Sequence, residues 1–178
     1  MSMKRWVRIL GLFFPFLTFG GIFIAIYLNP WFSLTENALS DMGSIKNPIG
    51  HVFNSLLVLL GLLGLVFGVE MLKEKRVTVL FPLGMISLLL VGIFPEEYKP
   101  HSFFALSFYI LLFADIFICG LKRVRKKKSA LIWLLGSPIV FMVMVYLTRV
   151  FEGLAIPELV GALFINAWIV HLTLEVEQ

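Results

Sequence analysis

Long apolar stretches separated by short polar ones set the pattern of this chain. Six runs are predominantly apolar: Ile9 to Leu28, Val52 to Val69, Val77 to Phe94, Phe103 to Leu121, Ala130 to Leu147 and Glu158 to Leu174. A helix needs roughly 20 such residues to cross a bilayer, with about 17 to 25 tolerated. The strict apolar–polar alternation of a membrane β-barrel strand does not occur. The pattern predicts an all-α integral membrane protein, a six-transmembrane-helix bundle. With 178 residues, the spans and their connections leave no room for a separate soluble unit, so residues 1–178 are expected to form one domain. Hydrophobic residues make up 60% of the chain, so each polar side chain inside a span calls for a reason.

Glycines recur within the runs. In lipid, small residues let helix backbones approach, because packing drives association there. Gly64 and Gly68 have the small-x-x-x-small spacing, with Gly61 one turn earlier. Packing within the bundle is the expected use, ahead of a homo-oligomer interface. Pro15, Pro82 and Pro138 fall inside spans, where each is expected to kink its helix. Lys4, Arg5 and Arg8 give the start a basic character, but the apolar run after them is too long for a signal h-region. Ala25 to Leu28 also lacks a small-residue cleavage pattern, so the first span reads as an uncleaved anchor.

Charge adds orientation. Lys4, Arg5, Arg8, Lys73, Lys75, Arg76, Lys122, Arg123, Arg125, Lys126, Lys127 and Lys128 fall on one side of the alternating spans, and only Lys46, Lys99 and Arg149 on the other. The positive-inside rule then predicts a multi-pass cell-membrane protein with cytoplasmic N- and C-termini. The basic run Lys122 to Lys128 directly follows a span, so it reads as a topology signal touching anionic headgroups, with no nucleic-acid partner implied. Glu36, Asp41, Glu96, Glu97, Glu152 and Glu158 lie at the other face, with His51 and His101. Cys119 is the single cysteine, which excludes an intramolecular disulfide.

The outer connections are where a site would be built. Ser33 and Glu36 fit a capping box, and Gly43 is placed to end a helix in a left-handed conformation. Residues 34–42 are therefore expected to form a short extracytoplasmic interfacial helix with Asn37, Ser40 and Asp41 on one polar stripe. The second connection, Pro95 to His101, holds two glutamates between its prolines and a histidine after the second, and the third carries Arg149 and Glu152.

Asn37-x-x-Ser40-Asp41-x-Gly43, then Gly92-Ile93-Phe94-Pro95-Glu96, then His101, resembles an uncharacterised family of prokaryotic six-span membrane proteins, the domain of unknown function nine-nine-eight. The likeness covers most of the chain. It implies Asn37, Ser40, Asp41, Gly43, Pro95, Glu96 and His101 as the family's marked positions. The layout is also distantly similar to eukaryotic six-span proteins of the FRAG and Sfk type, linked to lipid and anchor remodelling.

Several chemistries are open to these residues. Ser40, Asp41 and His101 are the candidate catalytic set, and Asn37, Glu96 and Arg149 the candidate substrate-binding set. Asp41, His51 and His101 form an oxygen/nitrogen set suited to a divalent metal such as zinc, which could activate water. Helix caps and headgroup anchors account for the same residue types. Asp115 lies within the fourth span, where a carboxylate needs a partner; His171, with Asn166 beside it, is the candidate for an intramembrane polar pair. Two functions follow: a metal-assisted enzyme acting on a lipid or isoprenoid substrate, or a non-catalytic lipid-binding, assembly or scaffold protein. Membrane lipids are the expected partners in both.

Overall fold

In the computed structural model, which describes residues 4–175, the chain is helical and no strand occurs among the described residues. Six α-helices follow one another: α1 (Arg5–Leu28), α2 (Gly50–Lys73), α3 (Leu80–Ile93), α4 (Pro100–Val124), α5 (Leu131–Val150) and α6 (Ala155–Leu174). Each packs on the next, and α6 returns to α1, closing a ring.

The ring is apolar inside and out. Phe67, Met71, Phe81, Met85, Leu112, Ile116, Trp168 and Ile169 fill the interior, fully buried. Phe16, Phe23, Phe103, Ile132, Met142 and Leu163 point outward, each more than half exposed. Soluble monomers rarely carry contiguous apolar surface on this scale, whereas a lipid-facing wall requires it.

Five helical segments are long and apolar enough to cross a bilayer: α1, α2, α4, α6 and the stretch Lys128–Val150 that contains α5. With 14 residues, α3 rises only about 21 Å, against an apolar thickness of about 30 Å. It falls short of the expected span at both ends. Thr78 donates its backbone N–H and its hydroxyl to Asp115 Oδ1 at 2.6 and 2.7 Å, which holds the chain in a turn until Leu80. After Ile93, Phe94 is extended and Pro95 follows. Pro82 consequently sits in the first turn of α3, where no intrahelical N–H is required, and it interrupts nothing. Pro15 and Pro138 do lie within their helices.

Three glycines set the approach of α2 to α3. A Cβ on Gly61 would stand 2.6 Å from the Leu89 backbone nitrogen, and one on Gly68 2.6 Å from the Phe81 ring. Gly64 faces the Met85 side chain. The small-residue spacing serves packing within the chain.

The helix expected over residues 34–42 does not form. Residues 34–36 make a turn, and only Leu39–Gly43 is helical, as a short 3-10 segment. Ser33 does not cap with Glu36; its backbone N–H goes to Asn37 Oδ1 at 2.8 Å, which turns the chain back before a helix can propagate. Gly43 is not left-handed, since no described glycine has positive φ. It is glycine because the Asn54 amide occupies the space a Cβ would need.

The ring has one acidic and one basic end. At the basic end Glu175 accepts Arg123 at 2.8 Å and Lys127 at 3.1 Å, and Arg76 donates to its carbonyl at 2.6 Å. Burial pushes the Glu175 carboxyl up, but the Arg123 and Lys127 charges outweigh it and hold the group below its ordinary range. The acidic end carries the first, second and third connections.

Candidate functional site

The first connection is folded around Asp41. Its Oδ2 accepts the Ala38 backbone N–H at 3.0 Å and the Asn37 amide at 3.2 Å. The loop is stitched to the start of α6: Gly153 donates to the Thr35 carbonyl and Ala155 to the Asn37 carbonyl, both at 2.9 Å. Leu39 completes the seam by donating its N–H to Glu158 Oε2 at 2.7 Å. Leu39 and Met42 are buried beneath, so the polar side chains stand on an apolar base. Glu97 ties the second connection to the first through the Ser44 hydroxyl and the Ile45 N–H. The Ser44 hydroxyl, first among these bonds, keeps the Glu97 carboxyl below its usual range.

These contacts frame a cavity of about 610 Å³ between α4, α5 and the start of α6, roofed by residues 38–41 and 96–97. Ser40, Asp41, Glu96, Glu97, His101 and Glu158 supply its polar groups; Ala105, Phe141, Met144 and Leu154 are among its apolar ones. Besides Glu96, Glu97 and Leu154 in the connections, four lining residues on helices are exposed: Ser102 and Leu106 on α4, Val145 and Thr148 on α5. They mark a mouth between two helices whose direct connection lies at the opposite, basic end. Two voids of about 60 and 70 Å³ continue inward past Tyr109 toward Thr18 and Asn166.

Asp41 and Glu96 are neighbours at this end, and both line the cavity. Burial of its carboxyl, then the Asp41 hydrogen bond and charge, raises Glu96 from 4.5 to about 7, with Lys46 opposing. Lost hydration is the larger cause, and the repulsion between two adjacent negative charges adds to it. Both residues also line a second, polar cavity of about 360 Å³, with Trp31, Ser44, Lys46 and Asn47. The pair is thus a partition between an apolar-walled chamber and a polar one. His101, only 7% exposed, binds the Phe94 carbonyl through Nδ1 at 2.7 Å. A carbonyl only accepts, so Nδ1 carries the proton and Nε2 is left as an acceptor at the cavity.

Not all of the expected residues gather here. Ser40, Asp41, Glu96 and His101 line the main cavity, but the Ser–His–Asp relay is not assembled. His101 Nδ1 is taken by Phe94, while Asp41 bonds Asn37 and Ala38. Asn37 is a loop brace, lining only the polar chamber. His51 is exposed on the first turn of α2, and Arg149 is exposed near the end of α5; neither lines the cavity. The set Asp41, His51 and His101 therefore does not converge, and among the described residues no three His, Cys, Asp or Glu side chains are arranged to hold a metal ion.

The expected pair of Asp115 and His171 is also absent. Asp115 is satisfied by Thr78. His171 is stacked with Trp133 and Trp168, ring centroids 5.0 and 5.4 Å away, and Asn166 faces Thr18 of α1 at 3.3 Å. Conversely, Glu158 reaches the cavity although its sequence position marks it only as an acid of the outer face, and Glu97 of the second connection lines it too. An acid one residue after Pro157, at the first turn of an otherwise apolar helix, was the available signal for Glu158.

A family model described as "Protein of unknown function (DUF998)" matches residues 13–175. No curated protein and no solved structure matches the chain.

Proposed function

Because the chain belongs to the DUF998 family, whose description assigns no activity, we propose a function from the cavity itself: binding an amphiphile drawn sideways from the bilayer and cleaving it at its polar end by acid–base hydrolysis. The observation that carries this is the 610 Å³ cavity with the neighbouring carboxyls of Asp41 and Glu96 at its polar end and apolar walls opening between α4 and α5. Cavities of about 300–1,000 Å³ suit a ligand of that size. A carboxyl titrating near neutral pH can both give and take a proton there. Glu96 gives its proton to the departing oxygen as the bond to that oxygen breaks, and the carboxylate so formed takes a proton from the water whose oxygen forms the new bond, which restores Glu96.

The setting of the reading is a six-span arrangement in which α3, packed between α2 and α4, makes the remaining crossing. The acidic end with its short 3-10 segment lies at the extracytoplasmic interface, and both termini are cytoplasmic, which the distribution of Lys and Arg supports. Lipids are the natural source of the ligand.

The test is a lipid inventory of membranes from cells lacking the protein, complemented with wild type or with Glu96→Gln. Wild type is expected to remove an amphiphile species that accumulates in its absence, and Glu96→Gln, present in equal amount, to leave it. Complementation by Glu96→Gln would end the catalytic reading. A second reading, lipid binding without turnover, is favoured by the structural duty of Asp41, which braces Asn37 and Ala38. Recovery of an unchanged amphiphile bound to the purified protein, with no species accumulating in its absence, would select it.

A further inference from the structure

Resting on the amphiphile reading, we propose that the cavity selects an amphiphile whose polar end is an ammonium group, seated against Asp41 and Glu158 and bonded to His101 Nε2. The acids of the lining have no basic counterpart beside them, and its neutral polar groups are the hydroxyls of Ser40, Ser102, Tyr109 and Thr148. Asp41, Glu96, Glu97 and Glu158 supply four carboxyls, and no Lys or Arg lines this chamber. Lys46 stands on the far side of Asp41 and Glu96, in the polar chamber.

Asp41 is the electrostatic centre, because its charge acts on Glu96 and on Glu158 alike. Glu158 spends one oxygen on the Leu39 N–H and keeps the other. His101 is the independent sign of a ligand. It is 7% exposed, its Nδ1 is committed to Phe94, and the ring lines the cavity with an acceptor nitrogen that wants a donor. An ammonium offers donors and positive charge together. A phosphate or carboxylate head would find hydroxyl donors but no cation, and would meet the like charge of the carboxylates. Phe141 and Met144 give the cavity an apolar wall on its inner side, which strengthens that contrast there.

The experiment uses the full chain in phosphatidylglycerol nanodiscs, whose lipid brings no ammonium of its own. The probes are tetradecylamine and tetradecanol, each carrying a diazirine in the chain. Photolabel is expected on the peptides containing Leu106 and Val145. At equal mole fraction in the bilayer, unlabelled tetradecylamine should displace the amine probe about tenfold better than tetradecanol or tetradecyl phosphate, a factor worth about 1.4 kcal/mol. Glu158→Gln and Glu96→Gln should each weaken amine labelling severalfold while leaving alcohol labelling in place. The wild-type competition series needs no variant to fold. Equal displacement by the alcohol would show that the head is not read as a cation, and equal displacement by the phosphate would reverse the assigned polarity. Either overturns the proposal while labelled cavity peptides leave the amphiphile reading standing. Absence of cavity label from both probes would bring down that reading as well.

Discussion

Glu158 Oε2 accepts the Leu39 backbone N–H at 2.7 Å, joining the first connection to the last helix across 119 positions of sequence. Removing the acceptor strands a donor against the buried Leu39. Glu158→Ala is expected to lower stability by about 1–3 kcal/mol, the usual penalty for a buried group left without its partner. Glu158→Gln keeps an acceptor oxygen and should cost less. Thermal unfolding of the purified protein in detergent separates the two; equal losses would show that the bond is not what matters.

Gly61→Ala places a Cβ 2.6 Å from the Leu89 backbone nitrogen, where no side chain can move aside. The helices α2 and α3 must part, with an expected loss of about 1–3 kcal/mol. Gly20 has nothing within 4 Å of its would-be Cβ, so Gly20→Ala should be neutral or stabilising by up to about 1 kcal/mol. The ranking of the two in a denaturation series is the measurement.

Asp115 and Thr78 form the lock at the start of α3. Thr78→Val removes the hydroxyl bond and leaves the backbone N–H, while Asp115→Asn keeps an acceptor without the charge. A double-mutant cycle on this pair should return a coupling energy of about 0.5–3 kcal/mol, as expected for residues in direct contact. The pair Asp115→Asn with His171→Ala should give none.

Glu96 is raised from 4.5 to about 7 by burial of its carboxyl, the Asp41 hydrogen bond and the Asp41 charge. The folded protein therefore holds a proton that the unfolded chain releases between those two values. Stability from this group is present at acid pH and is lost as pH rises from about 4.5 through about 7. The residue as a whole is exposed, so water screens the effect and its size should be modest. Unfolding midpoints measured across that window should slope downward, and Glu96→Gln should flatten the slope. Asp41→Asn should bring the Glu96 titration, followed by NMR of the labelled carboxyl, back toward 4.5.

Helix positions were legible because a bilayer demands long apolar runs, and five of the six runs contain helices of crossing length. The shortening of α3 was not, because it depends on Thr78 meeting a carboxylate 37 residues away. Ser33 and Glu36 gave a sound local capping pattern that a single bond from Ser33 to Asn37 overrode. The marked positions Ser40, Asp41, Glu96 and His101 do share one chamber. His51 fails to join them because α2 gives the chamber no wall, and Arg149 because Met144, Val145 and Thr148 hold the face of α5 that lines it. Glu158 was hidden by its place on a span boundary, where an acid reads as solvated rim.

The ring closes only through its last member. A chain folding in order of synthesis can pack α1 through α5 by contacts between sequence neighbours, yet Thr35, Asn37 and Leu39 must wait for Gly153, Ala155 and Glu158. The chamber consequently has no partial form. A chain stopped before α6 would carry Asp41, Glu96 and His101 without the third wall that encloses them, so competence arrives in a single late step of assembly.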